Sequence, residues 1–70
     1  MKNVQDGSLV RVKLGANGIE YEIRRVIDKP DALYYAVFLS TDSGVPIISE
    51  AQDSREDAAR AGDKISEIIS

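Results

Sequence analysis

The chain has 70 residues and a formal net charge of −3, with 43% hydrophobic residues, which is enough for one small domain with one core. Cysteine and histidine are both absent, which excludes disulfide bonds and the commonest zinc ligands and leaves a serine or threonine nucleophile without a standard base. No apolar run approaches the ~18 residues of a membrane span, and residues 1–6 lack the apolar core of a signal peptide. We therefore expect a single cytoplasmic domain over residues 1–70, with no membrane contact, cofactor or metal, that is not an enzyme.

The first hairpin is predicted by alternation and by a turn dipeptide. Residues 9–14, Leu-Val-Arg-Val-Lys-Leu, alternate between apolar and charged side chains, which is typical of a strand. Asn17-Gly18 favours a two-residue type I′ turn, because both central positions of that turn need positive φ. Such a turn places Leu14 opposite Tyr21, and the neighbouring pairs then join apolar with apolar side chains and opposite charges.

Three further strands are predicted, over about residues 19–27, 33–41 and 45–49. A turn over residues 28–32 contains Pro30, which presets φ, and pairs Ile27 with Leu33. A glycine-closed turn over residues 42–44 places Leu39 opposite Ile47 by the same kind of argument. Pro46 cannot donate to a ladder, so the last strand is expected at a sheet edge.

The C-terminal part is predicted to be one helix. Ser54 with Asp57 resembles a capping box. An apolar stripe follows at helical spacing, formed by Ala58, Ala61, Ile65, Ile68 and Ile69. The predicted fold is therefore α+β, a four-stranded antiparallel β-meander followed by one C-terminal helix packed on one face.

These registers assign the side chains to two faces. The face that the helix should cover carries Val10, Val12, Leu14, Tyr21, Ile23, Tyr35, Val37, Leu39, Val45 and Ile47. The other face carries Arg11, Lys13, Glu20, Glu22 and Arg24 on the first two strands, and beyond them Val26, Tyr34, Ala36, Phe38 and Ile48. One helix of about 22 Å cannot cover both faces, so the second face is expected to be open.

An apolar patch surrounded by charges is typical of a recognition site on a small protein. The predicted protein-binding residues are Tyr34, Ala36, Phe38, Val26 and Ile48, with the two aromatic side chains as anchors. The alternatives are a wrong register, or an N-terminal segment that folds over this face. Replacing Tyr34 and Phe38 by alanine is expected to abolish binding and to leave the fold intact.

An acidic group at the start of the helix is a second candidate contact, formed by Glu50, Asp53, Glu56 and Asp57. These carboxylates could engage a basic groove on a partner, or they could simply cap the helix and oppose its dipole. The expected partner is another protein or a second copy of the chain, since small scaffolds without disulfides or metals often rely on association.

Two other functions receive less support. Arg11, Lys13, Arg24 and Arg25 could form a small basic patch for nucleic acid, but acidic residues lie beside them and the C-terminal half carries the net negative charge. Glu20 and Glu22 could imitate a catalytic carboxylate pair, but 70 residues leave little material for a cleft that raises one pKa.

Two resemblances concern the overall plan. Size, acidity and the meander-plus-helix arrangement look like many small phage-encoded proteins, including anti-CRISPR-type inhibitors, which implies a stoichiometric inhibitor in general terms and assigns no residue roles. Residues 6–12, Asp-Gly-Ser-Leu-Val-Arg-Val, are similar to the first strand of SH3-like barrels. The short Asn17-Gly18 connection departs from the long first loop of those barrels, so an SH3-like barrel with an appended helix is the alternative fold.

Overall fold

A computed structural model describes residues 7–28, 31–39, 41–42 and 44–69, which form a four-stranded antiparallel sheet followed by a helix. The strands are β1 (Ser8–Leu14), β2 (Glu20–Asp28), β3 (Asp31–Phe38) and β4 (Ile47–Ile48), and the helix is α1 (Arg55–Ile69). The sheet order is β1-β2-β3-β4. The predicted meander with a C-terminal helix is confirmed, and because the sheet is open the alternative of a barrel is wrong.

Parts of the predicted turns and of the N-terminus cannot be compared with the structure. Lys29 and Pro30 of the second turn, Ser43 of the third turn and residues 1–6 lie outside the described residues.

All three predicted strand registers are wrong by one residue. The observed pairs include Leu14 with Glu20, Ile27 with Ala32 and Phe38 with Ile47. The partners predicted for Leu14, Ile27 and Ile47 were Tyr21, Leu33 and Leu39. Because side chains alternate along a strand, a slip of one residue exchanges its two faces.

The first slip comes from one extra residue beside a correctly predicted turn. Asn17 and Gly18 both have positive φ, 56° and 75°, and the Ile19 N–H donates to the Ala16 carbonyl over 3.2 Å, as in a type I′ turn. The Gly15 N–H, however, donates to the Ile19 carbonyl over 2.6 Å. Two residues before the turn thus oppose one residue after it, and this bulge moves β1 by one position along β2.

A contact with α1 holds this bulge in place. The Ala16 N–H donates to Ser66 Oγ over 2.9 Å, and the Ser66 hydroxyl donates to the Asp63 carbonyl over 2.7 Å. A Cβ at Gly15 would lie 2.6 Å from Ser66 Oγ, so the close approach of the turn and the helix requires glycine there. The register of the first hairpin thus depends on residues 50 positions apart in the chain.

The other two slips come from the connections that follow. The second turn was predicted over residues 28–32, whereas Asp28 pairs with Asp31 and leaves a two-residue connection. In the third turn Gly44 has a positive φ of 76° as predicted, and its N–H donates to the Thr41 carbonyl over 3.1 Å. Nevertheless β4 pairs one residue earlier on β3 than the turn type implied.

The chain after β4 completes the outer edge of β3. The Ser49 N–H donates to the Ala36 carbonyl, and the Ala36 N–H donates in turn to the buried Ser49 Oγ, both over 2.9 Å. Farther along, Tyr34 and Gln52 exchange two backbone hydrogen bonds of 2.9 Å. β3 is therefore hydrogen-bonded along both edges, which explains its central place in the core.

These register shifts exchange the predicted faces of β1 and β3, whereas the faces of β2 stay as predicted. The side under α1, here called the helix face, carries Tyr21, Ile23, Tyr34, Ala36, Phe38 and Ile47, and on β1 Arg11 and Lys13. The opposite side, here called the distal face, carries Leu9, Val12, Leu14, Glu20, Glu22, Arg24, Val26, Leu33, Tyr35, Val37 and Ile48. The prediction that Tyr34, Ala36 and Phe38 lie on the uncovered face is therefore wrong.

The helix begins as predicted and packs through part of the predicted stripe, since Ala58 is buried and Ile65 packs against the core. The Asp57 N–H donates to Ser54 Oγ over 3.2 Å, which confirms the cap. The buried positions of α1 are Ala58, Gly62 and Ser66. Ile68 and Ile69, predicted to be in the stripe, are exposed. A stripe of small residues lets the helix axis approach the sheet closely.

Tyr21 lies at the centre of the core. Its ring lies 5.1 Å from the Phe38 ring, centroid to centroid, and a Cβ at Gly62 would overlap it. Its hydroxyl is 3.0 Å from the Ala59 carbonyl and 2.8 Å from Asp63 Oδ1, and it can donate its hydrogen to either. Burial, and next the hydrogen-bonded Asp63 carboxylate, raise the pKa of Tyr21.

We expect Phe38→Ala to lower the free energy of unfolding by about 3–5 kcal/mol, because the side chain is buried and its removal leaves a cavity. Chemical denaturation followed by circular dichroism measures this change. Leu39→Ala, at an exposed neighbour, is the control and should change stability by no more than about 1 kcal/mol. Wild-type stability of Phe38→Ala would show that β3 has the register predicted from the sequence.

Gly62→Ala should also destabilise the protein, although alanine is the better helix former. The gain in helix propensity is about 1 kcal/mol, but the new methyl group would overlap the Tyr21 ring, and overpacking costs about 1–3 kcal/mol. The exposed Lys64→Ala should stay within about 0.5 kcal/mol of the wild type. A Gly62→Ala protein more stable than the wild type would contradict this helix position.

The raised pKa of Tyr21 predicts a loss of stability in alkali. The folded protein holds the phenol proton more tightly than the unfolded chain, so this contribution is complete below pH 10.0, the ordinary pKa of tyrosine. Above it, the free energy of unfolding should fall by up to about 1.4 kcal/mol per pH unit for this group. The stability difference between the wild type and Tyr21→Phe should be constant at neutral pH and shrink above pH 10.0. A constant difference would mean equal ionisation in both states.

Candidate functional site

The residues predicted to form an exposed patch do not share one surface. Ala36 and Phe38 are buried under α1, and Tyr34 packs half-buried against the same core. Val26 lies on the distal face but is buried, and Ile48 is exposed on that face. The sequence therefore predicted a surface at the wrong place, because its two aromatic anchors belong to the core side of β3.

The predicted acidic group lies at and before the start of α1, and two of its members, Glu56 and Asp57, are in the first turn of the helix. It consists of Glu50, Asp53 and Glu56, which are exposed, and Asp57, which is half-buried. Asp57 Oδ1 forms an ion pair of 3.4 Å with Arg60 Nη1, one turn along the helix. The capping interpretation accounts for Asp57, and a contact of the group with a partner stays a prediction.

The predicted basic patch is divided between the two faces of the sheet. Arg11 lies opposite Ile23 on the helix face, whereas Arg24 lies opposite Leu9 on the distal face. Arg24 also forms an ion pair of 3.1 Å with Glu22 and donates to the Gly7 carbonyl over 2.9 Å. Arg11 and Arg24 therefore do not share one binding surface, and the prediction that they form one basic patch is wrong.

β1 is an apolar strand that contributes no buried residue. Its three distal side chains, Leu9, Val12 and Leu14, are 51%, 47% and 67% exposed. Val10, displaced by an irregularity in the pairing between Leu9 and Arg11, packs only partly against the core. The strand thus keeps accessible a set of side chains of the kind that domains usually bury.

The two edges of the sheet differ in how well they are protected. β4 has two residues and follows Pro46, so it offers little for another strand to pair with. β1 has seven residues, and its outer edge has no strand partner within the described part of the chain. A long edge strand with apolar side chains is a template for strand pairing unless something covers it.

A cleft lies beside β1 on the helix face. It has a volume of about 380 Å³ and is lined by Val10, Arg11, Lys13, Ile23, Arg55, Glu56 and Ala59. In the part of the chain that the structure describes, the lining thus comprises three cations, one carboxylate and three apolar side chains. Among the described residues, Arg11, Lys13 and Arg55 form no ion pair, so their charges are available to a ligand.

Sequence reasoning identified β1 and its alternation but assigned its faces the wrong way round. The pattern of apolar and cationic residues over 10–14 was visible; the missing information was that the cations, not the apolar residues, face the helix. Arg55 could not have been connected with Arg11 from the sequence, because only the tertiary structure brings the start of α1 to β1.

Other kinds of site find little support in the described residues. They contain no group of three acidic, histidine or cysteine side chains that could hold a metal ion. None of their helices has the length and apolar character needed to cross a membrane. Another cavity, of about 170 Å³, is lined by Glu20, Tyr21, Glu22, Val37 and Leu39.

Comparisons with known proteins give no match. No protein-family model, no curated protein and no solved structure matches the chain.

Proposed function

We propose that this protein is not an enzyme and acts by stoichiometric contact with another protein, as a binding or inhibitor protein, through β1. The observation that carries the proposal is the state of that strand. It has seven residues, most of them apolar, none of them buried, and its outer edge has no partner among the described residues.

The energetics favour a partner on this strand. Each Å² of apolar surface that a partner removes from water contributes about 25 cal/mol, and the exposed Leu9, Val12 and Leu14 lie side by side on one face. The free backbone groups of an edge strand add directional hydrogen bonds. A binding or inhibitor protein needs such a surface and no catalytic group.

Self-association through the distal face is the second candidate. Leu39 and Ile48 are also exposed, at the far side of the sheet from Leu14, so apolar side chains mark both margins of this face. A homodimer that buries them would hide the same strand from other partners. Light scattering at micromolar concentration distinguishes the two, because a monomer excludes the homodimer.

The variant Val12→Thr with Leu14→Thr tests the proposed function. Threonine keeps a high strand propensity, and both positions are exposed, so the fold should be retained. Affinity capture from the cells that produce the protein, followed by reconstitution of a one-to-one complex from purified components, should succeed with the wild type and fail with the variant.

Ile68→Thr is the matched control, since Ile68 is a highly exposed apolar residue that belongs to α1 and not to β1. It should capture the same partner as the wild type. Capture that is unchanged by the β1 variant, or equally weakened by both, would show that β1 is not the contact surface.

A further inference from the structure

We propose that β1 binds an extended acidic peptide segment of its partner as an additional strand, with carboxylate side chains in the cleft and apolar side chains on the distal face. This inference rests on the proposed function, because it names the kind of segment that the β1 edge would take. Its three supports are the strand edge, the cations beside it and the apolar side chains opposite them.

The outer edge of β1 favours a ligand with an extended backbone. In a strand, alternate residues direct their N–H and C=O groups away from the existing neighbour. β1 pairs with β2 on one side, and its other side has no strand partner in the described residues. A ligand that satisfies these groups at strand spacing is a polypeptide in the extended conformation, added by β-augmentation.

On the helix face, the cations beside β1 favour carboxylate side chains on the ligand. Arg11 and Lys13 project from β1 into the cleft, where Arg55 of α1 joins them. Among the described residues, Glu56 is the one carboxylate of the lining, and none of the three cations has an ion-pair partner. An added strand places every second side chain on this face, so acidic residues two apart would meet these cations.

The distal face selects apolar side chains at the intervening positions. Val12 and Leu14 alternate with Arg11 and Lys13, and both are exposed. Cross-strand neighbours on the same face lie about 5 Å apart, so apolar residues of the added strand would cover them. The matching ligand is therefore a segment in which acidic and apolar residues alternate.

Charge argues against a second copy of β1 as this strand. Antiparallel pairing of two β1 strands about a two-fold axis would place Arg11 and Lys13 of one copy beside the same cations of the other. Like charges opposite each other in a sheet are unfavourable. Nucleic acid would satisfy the cations but not the apolar side chains, nor the backbone groups at strand spacing.

The test uses a fluorescent peptide, Glu-Val-Glu-Val-Glu-Val flanked by glycines, and measures its binding to the whole protein by fluorescence anisotropy. We expect saturable binding, amide chemical-shift changes confined to β1 and the cleft, and weaker binding as salt is added. The block peptide Glu-Glu-Glu-Val-Val-Val, with the same composition, should bind at least about tenfold more weakly, a difference of roughly 1.4 kcal/mol. Equal binding of both peptides would overturn the proposal.

Two modified peptides examine strand addition without changing the protein. One carries N-methyl groups on its three glutamates and the other on its three valines. Because only one of the two sets directs its N–H groups towards β1, one peptide should lose binding and the other should keep it. Loss with both, or with neither, would overturn strand addition.

A charge reversal examines the cleft. Arg11→Glu with Lys13→Glu should abolish binding of the acidic peptide and create binding of Lys-Val-Lys-Val-Lys-Val. Arg60→Glu with Lys64→Glu makes the same charge change on exposed positions of α1 and should preserve the original preference. The neutral variant Arg11→Gln with Lys13→Gln should lose the acidic peptide too, and serves if the reversed variant does not fold.

The experiments also distinguish the proposed peptide from a second copy of the chain and from nucleic acid. A dimer that the charge-reversed variant no longer forms, or tighter binding of a single-stranded RNA oligonucleotide than of the acidic peptide, would overturn the proposal. Failure of the peptide together with β1-dependent capture of a partner would reject this inference and leave the proposed function standing. Capture that does not depend on Val12 and Leu14 would reject the proposed function itself.

Discussion

The structure depends on the close packing of the Tyr21 ring against Gly62. A side chain at that position of α1 would overlap the ring, so the absence of a Cβ lets the helix approach the sheet closely enough to bury Ala58 and Ser66 as well. The tyrosine hydroxyl keeps two acceptors on α1 within hydrogen-bond distance, the Ala59 carbonyl and the Asp63 carboxylate. Aromatic packing and a partly buried hydrogen bond thus position the helix on one side of a sheet that is four strands wide.

The same close approach determines how the first hairpin is aligned. Across the bulge, the Gly15 N–H and not the Ala16 N–H donates to the Ile19 carbonyl. The Ala16 N–H donates instead to Ser66 Oγ, which the close approach of α1 brings within reach. The bulge shifts β1 by one position along β2, so that Arg11 and Lys13 face the cleft beside α1. Leu9, Val12 and Leu14 then lie on the distal face, and Val10 alone of the apolar side chains of β1 packs against the core. Helix packing and the exposed character of β1 are therefore parts of one arrangement.

An edge strand of this kind is usually a liability, because it invites association with other chains. In this protein the other edge is short and follows Pro46, whereas β1 is long and apolar on one face. The cations beside it are the basis of our proposal that an acidic strand, rather than a second copy of β1, pairs with this edge. The contrast between the two edges is the structural basis of the proposed binding function.

The sequence by itself determined the elements: four strands, the positive φ angles at Asn17, Gly18 and Gly44, the Ser54 cap and the helix after it. These depend on local periodicity and turn chemistry, which neighbouring residues are sufficient to specify. Only the tertiary structure decided which face of β1 and β3 meets the helix, because strand register changes with a single extra or missing residue in a connection. Residues 33–39 are apolar on both faces, so hydrophobicity could not choose between them. The choice was made by contacts between residues far apart in the chain, Ser66 with Ala16 and Gly62 with Tyr21.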